Sequence, residues 1–339
     1  MSRFYKIQFY LFLLIAVSFS ACKNGKTDDV AKKETTDSLG IAKSDTSIEI
    51  NLENPVADQK VLLRFQPPAS TIYYFNNNSS YTAIRRMDTL EMKALSSKYA
   101  KMKMNVTGVE KGNIKIDFSL MDVKKTIKDD SATVDYQYGK MMTDPGQDID
   151  RQLEDCLVNS PITILMNEKG EAVDMQGYEA IIAKMKTILE KATGKSVPDE
   201  YIAQQMSLPT ENIDNLFIVF PDTAVSIGET WQYVANSALQ GMPIIITSKY
   251  TLADRKEGIA YINLSSVVSI DKSQLTKEIL DQMTNLKVTS YMNGTIQIDE
   301  KTGWPQHMKL SQLVEIKDSY QGQSTYSKET GTTTISLIK

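Results

Sequence analysis

Over most of the chain apolar and polar residues alternate one by one. Tyr99–Val106 sets Ala100, Met102, Met104 and Val106 on one side and Tyr99, Lys101, Lys103 and Asn105 on the other. Asn113–Met121 alternates in the same way, with Ile114, Ile116, Phe118 and Leu120 together. A period of two belongs to a β-strand with one buried face. Between the two stretches, Glu110-Lys111-Gly112-Asn113 reads as a hairpin turn whose glycine can take a positive φ. Val134, Tyr136 and Tyr138 predict a further half-buried strand. Strands that are apolar on one face only imply antiparallel sheet, because parallel strands are covered on both faces and read as continuous apolar runs.

The period lengthens in the middle of the chain. Asp148–Val158 predicts a short helix that stops before Pro161. Tyr178–Thr193 carries Ile181, Ile182, Met185, Ile188, Leu189 and Ala192 at helical spacing, with Gly194 as the stop. Pro198–Met206 and Thr210–Phe220 predict two more helices, each with proline at or just before its first turn. Alternation resumes at Thr230 and runs to the C-terminus. No regular strand–helix alternation suggests a doubly wound fold. The expected class is α+β, mainly antiparallel β: two tandem curved antiparallel sheets with a helical segment between them.

The halves resemble each other. Ser70-Thr-Ile-Tyr-Tyr74 matches Glu229-Thr-Trp-Gln-Tyr233, and Ser97-Lys-Tyr99 matches Ser248-Lys-Tyr250. The turn at Glu110-Lys-Gly112 matches Lys256-Glu-Gly258, and Thr163–Gly170 matches Thr295–Gly303. Short matches in one shared order predict a duplicated sheet unit, although hairpin-rich halves also look alike without common origin. Two copies fall short of a solenoid.

The N-terminus follows other rules. Arg3 and Lys6 precede the apolar run Phe9–Phe19, and Phe19-Ser-Ala-Cys22 closes it with small residues. This is the pattern of a secretion signal. About eleven apolar residues span only ~16 Å as a helix, half of the ~30 Å hydrocarbon core, which argues against a transmembrane anchor. Cys22 at the cleavage point resembles a bacterial lipobox, in which that cysteine is lipidated; Phe19 departs from the leucine usual three places earlier. An ordinary signal peptide is the rival. Residues 23–55 are rich in Lys, Asp, Thr and Ser with charges alternating in sign, the composition of a solvated tether.

Composition narrows the chemistry. Lys+Arg number 38 against 42 Asp+Glu with no block of one sign, so no basic face for nucleic acid is expected. Beside Cys22, Cys156 is the second of two cysteines, which leaves no pair for an intramolecular disulfide in a lipidated chain and no cysteine-based zinc site. His307 is the single histidine and falls on the polar side of Gln306–Ile316 with Lys309, Ser311 and Glu315; no Gly-x-Ser-x-Gly elbow accompanies it. The acids Asp148, Asp150, Glu154 and Asp155 fit a helix start, and Asp144–Asp148 lacks an EF-hand pattern. No catalytic residue, metal site or cofactor is expected. Sixteen methionines are the one excess, suited to a cavity for acyl chains or to an ordinary adaptable core.

Leu62-Leu-Arg-Phe65, the Asn-Glu-Lys-Gly turn ahead of Val173, Ser226-Ile-Gly-Glu-Thr-Trp231, the lipobox and the tether together resemble a family of uncharacterised Bacteroidota cell-envelope lipoproteins. That resemblance implies an envelope location and a β-rich fold and transfers no active-site residue. A curved antiparallel sheet with packed helices is also similar, by fold-level analogy alone, to periplasmic carriers of lipoproteins or lipids.

The expected organisation is a lipoprotein signal peptide (1–22), a tether (23–55), a first β-sheet unit (56–147), a helical segment with one strand pair at 161–176 (148–220), and a second β-sheet unit (221–339). The expected function is non-catalytic: a protein held at the membrane through Cys22, in the outer membrane for preference, binding an apolar ligand or an envelope partner in a sheet concavity. The expected lining is Met102, Met104, Ile116, Phe118, Ile262, Leu264, Met292 and Ile296, with Ile114 beside them and the helix around Met185 and Leu189 as cover. The alternative is a structural or assembly lipoprotein acting through protein contacts; a hydrolase depending on His307 is a distant third.

Overall fold

The computed structural model describes residues 59–338 apart from 88, 143–144, 199–201, 203–215, 240–241, 278–285 and 321–322. The signal, Cys22 and the tether lie outside the described residues, as does most of the two helices expected at 198–220. Of those, Ile202 is helical and buried, whereas 217–220 runs without regular structure.

The elements follow the alternation closely. Strands β1 (Thr71–Met87), β2 (Leu90–Glu110), β3 (Asn113–Asp129) and β4 (Thr133–Gln137) precede helix α1 (Pro145–Asp155). The hairpin β5 (Ile162–Met166) and β6 (Ala172–Gln176) leads into helix α2 (Tyr178–Thr193). Six strands complete the chain: β7 (Thr230–Leu239), β8 (Met242–Lys256), β9 (Ile259–Ile270), β10 (Lys287–Asp299), β11 (Pro305–Tyr320) and β12 (Gln323–Ile338). Helix α2 has the limits its periodicity predicts and ends on Gly194 at φ 66, whose N–H donates to the Glu190 carbonyl. Helix α1 begins three residues before the expected start, and Val158 leaves it to form a parallel bridge with Leu120.

The fold is mainly antiparallel β with a helical segment between strands. The two strand-rich halves are continuous, however, as a single 12-stranded sheet of order β6-β5-β3-β2-β1-β12-β11-β10-β9-β8-β7, with β4 paired to the far half of β3. The first and last strands join them: β1 and β12 pair from Tyr74–Ile338 to Met87–Thr325. Alternation within each strand specifies its two faces but not this pairing between the ends of the chain.

The two halves of the sheet share a neighbour order. The path β1-β2-β3-β5-β6 recurs as β7-β8-β9-β10-β11, neighbour for neighbour. The corresponding β2–β3 and β8–β9 hairpins both use left-handed turns, Lys111–Gly112 (φ 51 and 83) and Glu257–Gly258 (φ 54 and 76), as two-residue connections between right-twisted strands require.

Buried side chains gather on one face of the sheet. Two short segments cross that face. Val61 and Val225 exchange backbone hydrogen bonds of 2.9 Å, while Phe65 N–H donates to the Glu168 carbonyl and Gln66 N–H to that of Thr302. Phe220 N–H donates to the Lys169 carbonyl. The crossing brings Phe65 and Phe217 onto Trp304, which is 1% exposed and stacks on Tyr73 at 4.0 Å between ring centroids. Large aromatic burial of this kind anchors segments that have no ladder of their own.

Candidate functional site

The alternation of each strand sends one set of its side chains to the inner face, where they form a main core cluster and a smaller second one around Ile244, Ile246 and Val268. All eight residues expected to line a ligand site are buried in one core cluster. Met102, Met104, Ile116, Phe118 and Ile262 lie in its packed part, and Met185 of α2 belongs to the same cluster while Leu189 packs against it. Leu264, Met292 and Ile296 border a cavity of about 100 Å³. The expected set is therefore one surface of which three members reach open space.

The cavity lies between β7–β11 and the β5–β6 hairpin with Phe217–Val219. Its walls are mixed: apolar side chains stand beside Glu171, Tyr233, Tyr250 and the buried hydroxyls of Ser248 and Ser266, which bond to each other at 2.7 Å. Tyr250, stacked on Trp231 with centroids 5.4 Å apart, has its hydroxyl pushed up to about 12 by burial. The Trp231 ring N–H donates to the Val219 carbonyl at 2.7 Å, which pins the crossing segment over the cavity.

Register continues the row of Ser248 and Ser266 across the sheet. Ser248, Ser266, Met292, Gln312, Gly331 and Tyr81 are successive cross-strand partners on β8, β9, β10, β11, β12 and β1. The Tyr81 ring lies flat over Gly331, where an added Cβ would meet it at 2.1 Å. From Tyr81 a chain of side-chain hydrogen bonds runs inward along β1 and β12: Tyr81 to Thr333 at 3.2 Å, Thr333 to Ser79 at 3.2 Å and Ser79 to Asn77 at 3.1 Å.

The next row holds Ala235, Ile246, Val268, Ser290, Val314, Glu329 and Ala83, and the first four of these are buried. Glu329 is flanked by Val314 and Ala83 and is half-buried. Burial pushes its carboxyl up to about 7 against the attraction of Arg85 and a hydrogen bond from Gln312 at 3.5 Å. Arg85 is drawn down by the same burial. Periodicity contains this signal: counting back by twos from Ile335 puts Glu329 on the inner face. Reading β12 strand by strand would have found it.

The other candidates are accounted for elsewhere. His307 sits on the opposite face, its Nδ1 2.9 Å from Ser336 Oγ, and burial and Lys309 hold it below the ordinary imidazole range. In α1, Arg151 pairs with Asp148 at 2.7 Å and with Asp155, and Tyr136 O–H donates to Asp155 at 2.8 Å. The pairing with Arg151, helped by the Met142 N–H, takes Asp148 down to about 2. Glu154 pairs with Lys125 at 3.5 Å. These acids fasten α1 to β3 and β4, and Glu154 and Asp155 stand at the end of the helix, not its start. Among the described residues no three His, Cys, Asp or Glu side chains are placed to hold a metal, Cys156 is a buried free thiol, and no helix is long and apolar enough to cross a membrane.

With the fold in place, the chain belongs to a family of unknown function, DUF6263, whose model matches residues 118–305, from β3 to the first residue of β11. No curated protein matches it. Among solved structures it is similar to lipovitellin, from a study of lipid–protein interactions, at 11% identity and a TM-score of 0.46, over 80% of this chain and 25% of that one. The chain thus spans about a quarter of the lipovitellin chain. It is also similar to OccK7 (OpdD) of Pseudomonas aeruginosa (8% identity, 80% and 100% covered, TM-score 0.21) and to a DUF1329 family protein of Desulfovibrio piger (6%, 75% and 83%, 0.13).

Proposed function

We propose that this protein is a non-catalytic binder of an apolar ligand, held at the cell envelope by a lipid on Cys22 with residues 23–55 as its tether and the outer membrane as its site. One observation supports the reading above others: the cavity beside Leu264, Met292 and Ile296 is partly open to solvent. At about 100 Å³ it is smaller than the ~300–1,000 Å³ of pockets that enclose whole ligands. It suits the end of an apolar chain, the remainder of which lies along the concave face. Flexible methionines on that wall adapt to chains of differing shape.

The packed half of the face favours a second reading, a structural or assembly lipoprotein working through protein contacts, since a filled core needs no ligand. Native mass spectrometry of the purified full chain, with solvent extraction of what co-purifies, separates the two. An apolar species near one-to-one stoichiometry, lost in Ala235→Phe, which fills the cavity, supports the carrier. A clean apo mass together with no uptake of an added apolar fluorophore overturns it.

A further inference from the structure

The 12-stranded sheet ends on β7, whose backbone groups facing away from β8 meet no strand among the described residues. In an antiparallel ladder every second N–H and C=O of a terminal strand is left in this way. The strand has ten residues, and Thr230–Leu239 contains no charged side chain. The other strands that end a ladder are guarded: β4 and β6 have five residues each and carry Asp135 and Asp174. Gln232, Val234 and Asn236 are exposed on the outer side of β7, Val234 to 54%, whereas Tyr233 and Ala235 turn inward. A bare, uncharged edge of this length invites a further strand.

The chain itself arrives at that edge. The described residues open at Gln59, whose carbonyl accepts from Arg255 Nη1 at 2.7 Å. Lys60 Nζ lies 3.5 Å from Glu229, the residue immediately before β7, and Val61 pairs antiparallel with Val225. Just upstream, Ile48-Glu-Ile-Asn-Leu52 alternates apolar and polar, and Pro55, which has no N–H, ends the stretch. Leu52 precedes Gln59 by seven positions, a reach of roughly 23 Å when extended. A stretch that runs into the N-terminal end of β7 in this way lies along it in the antiparallel sense.

We propose that Ile48–Leu52 docks on the edge of β7 remote from β8 as an added antiparallel strand, a segment of the same chain and not a second copy. Ile48, Ile50 and Leu52 then share the inner side with Tyr233 and Ala235, and Glu49 and Asn51 share the wet side with Gln232 and Asn236. Backbone hydrogen bonds supply the attachment, and the matching alternation fixes the register. Proximity favours the chain's own segment, because a stretch held near Arg255 and Glu229 meets the edge at a far higher effective concentration than a separate copy does. The docked strand closes the long edge through which the sheets of two copies would join. It also makes the chain upstream of Ile48 leave from the far end of β7 and not from its start. The docking is independent of what the cavity binds.

Hydrogen exchange of the full chain, read by mass spectrometry at a low and a high protein concentration, tests the docking. The expected result is protection of Ile48–Leu52 and of β7 together, the same at both concentrations, in a protein that sediments as a monomer. Ile50→Pro takes away one N–H at a position outside the described residues. It is expected to release the segment and to raise exchange in β7 about tenfold or more, as the loss of a hydrogen bond or two allows. Asn51→Gln, on the wet side, is expected to change neither. Exchange of Ile48–Leu52 at the rate of an unstructured peptide in the unaltered chain overturns the docking, as does exchange in β7 that Ile50→Pro leaves unmoved. Protection of β7 that grows with concentration, alongside a dimer, overturns it in favour of a second copy.

Discussion

Gly170 and Gly303 close equivalent hairpins in the two halves, and each meets a backbone carbonyl of a crossing segment where its Cβ would be. A Cβ would fall 2.3 Å from the Ile218 oxygen at Gly170 and 2.3 Å from the Arg64 oxygen at Gly303, and both lie beside the Phe220 ring. The two hairpins thus make the same kind of contact, and a crossing segment lies on each.

Alanine at either glycine meets two penalties, the left-handed backbone (φ 81 and 67) and the carbonyl clash. Gly258→Ala is the control, with φ 76 and nothing within 4 Å of its Cβ. The control should lose about 1–2 kcal/mol, and Gly170→Ala and Gly303→Ala at least twice as much in urea denaturation. Equal losses at all three positions would mean that the crossing segments do not bear on the turns.

Met102 and Met292 occupy the same face but differ in surroundings, since Met292 borders the cavity and Met102 is fully enclosed. Truncating Met102 to alanine opens a new void and should cost on the order of 3 kcal/mol. Met292→Ala should cost less, because atoms lining a void have already given up contacts. Chemical denaturation of the two variants gives the order directly.

The acid–base behaviour has two limbs of opposite sign. Glu329 holds its proton more tightly folded than unfolded, so its contribution is complete below the unfolded value near 4.5 and is lost as pH rises toward about 7. Asp148, taken down to about 2, contributes above its unfolded value near 3.8 and is lost as pH falls toward 2. Stability should therefore peak in mildly acid solution. At pH 8 Glu329→Gln should gain stability on the order of 2 kcal/mol, whereas Asp148→Asn should flatten the acid limb. Melting temperatures across pH 2–9 check both signs.

Arg255 joins three parts of the chain. Its Nε and Nη2 donate to the two oxygens of Glu300 at 2.7 and 3.0 Å, and its Nη1 donates to the Gln59 carbonyl at 2.7 Å. The pair is largely buried, so Arg255→Ala should cost about 3–5 kcal/mol by stranding Glu300. Arg255→Lys should not restore it, since an ammonium cannot make the paired contact. A thermal shift assay of both variants tests this.

Strand faces, the α2 limits and the hairpin at Lys111–Gly112 were legible because each is a local property of period or turn chemistry. The joining of β1 to β12 was not, since no local pattern links Tyr74 to Ile338. The eight expected lining residues all face inward, as their alternation requires. Which of them border a cavity depends on Phe217–Val219, placed by long-range hydrogen bonds such as Trp231 to Val219. Glu329 and Arg85 were passed over because charged residues in an alternating strand read by default as its wet side.

The pairing of the first strand with the last has a consequence for the order of events during synthesis. On the ribosome β1 emerges early and β11 late, and each shows an unpaired ladder edge until Gln323–Ile338 arrives between them. The nascent chain therefore carries an adhesive rim for almost the whole of translation. Loss of the final strand would leave two half-sheets with sticky borders, a form prone to aggregate and a natural client for holdase chaperones.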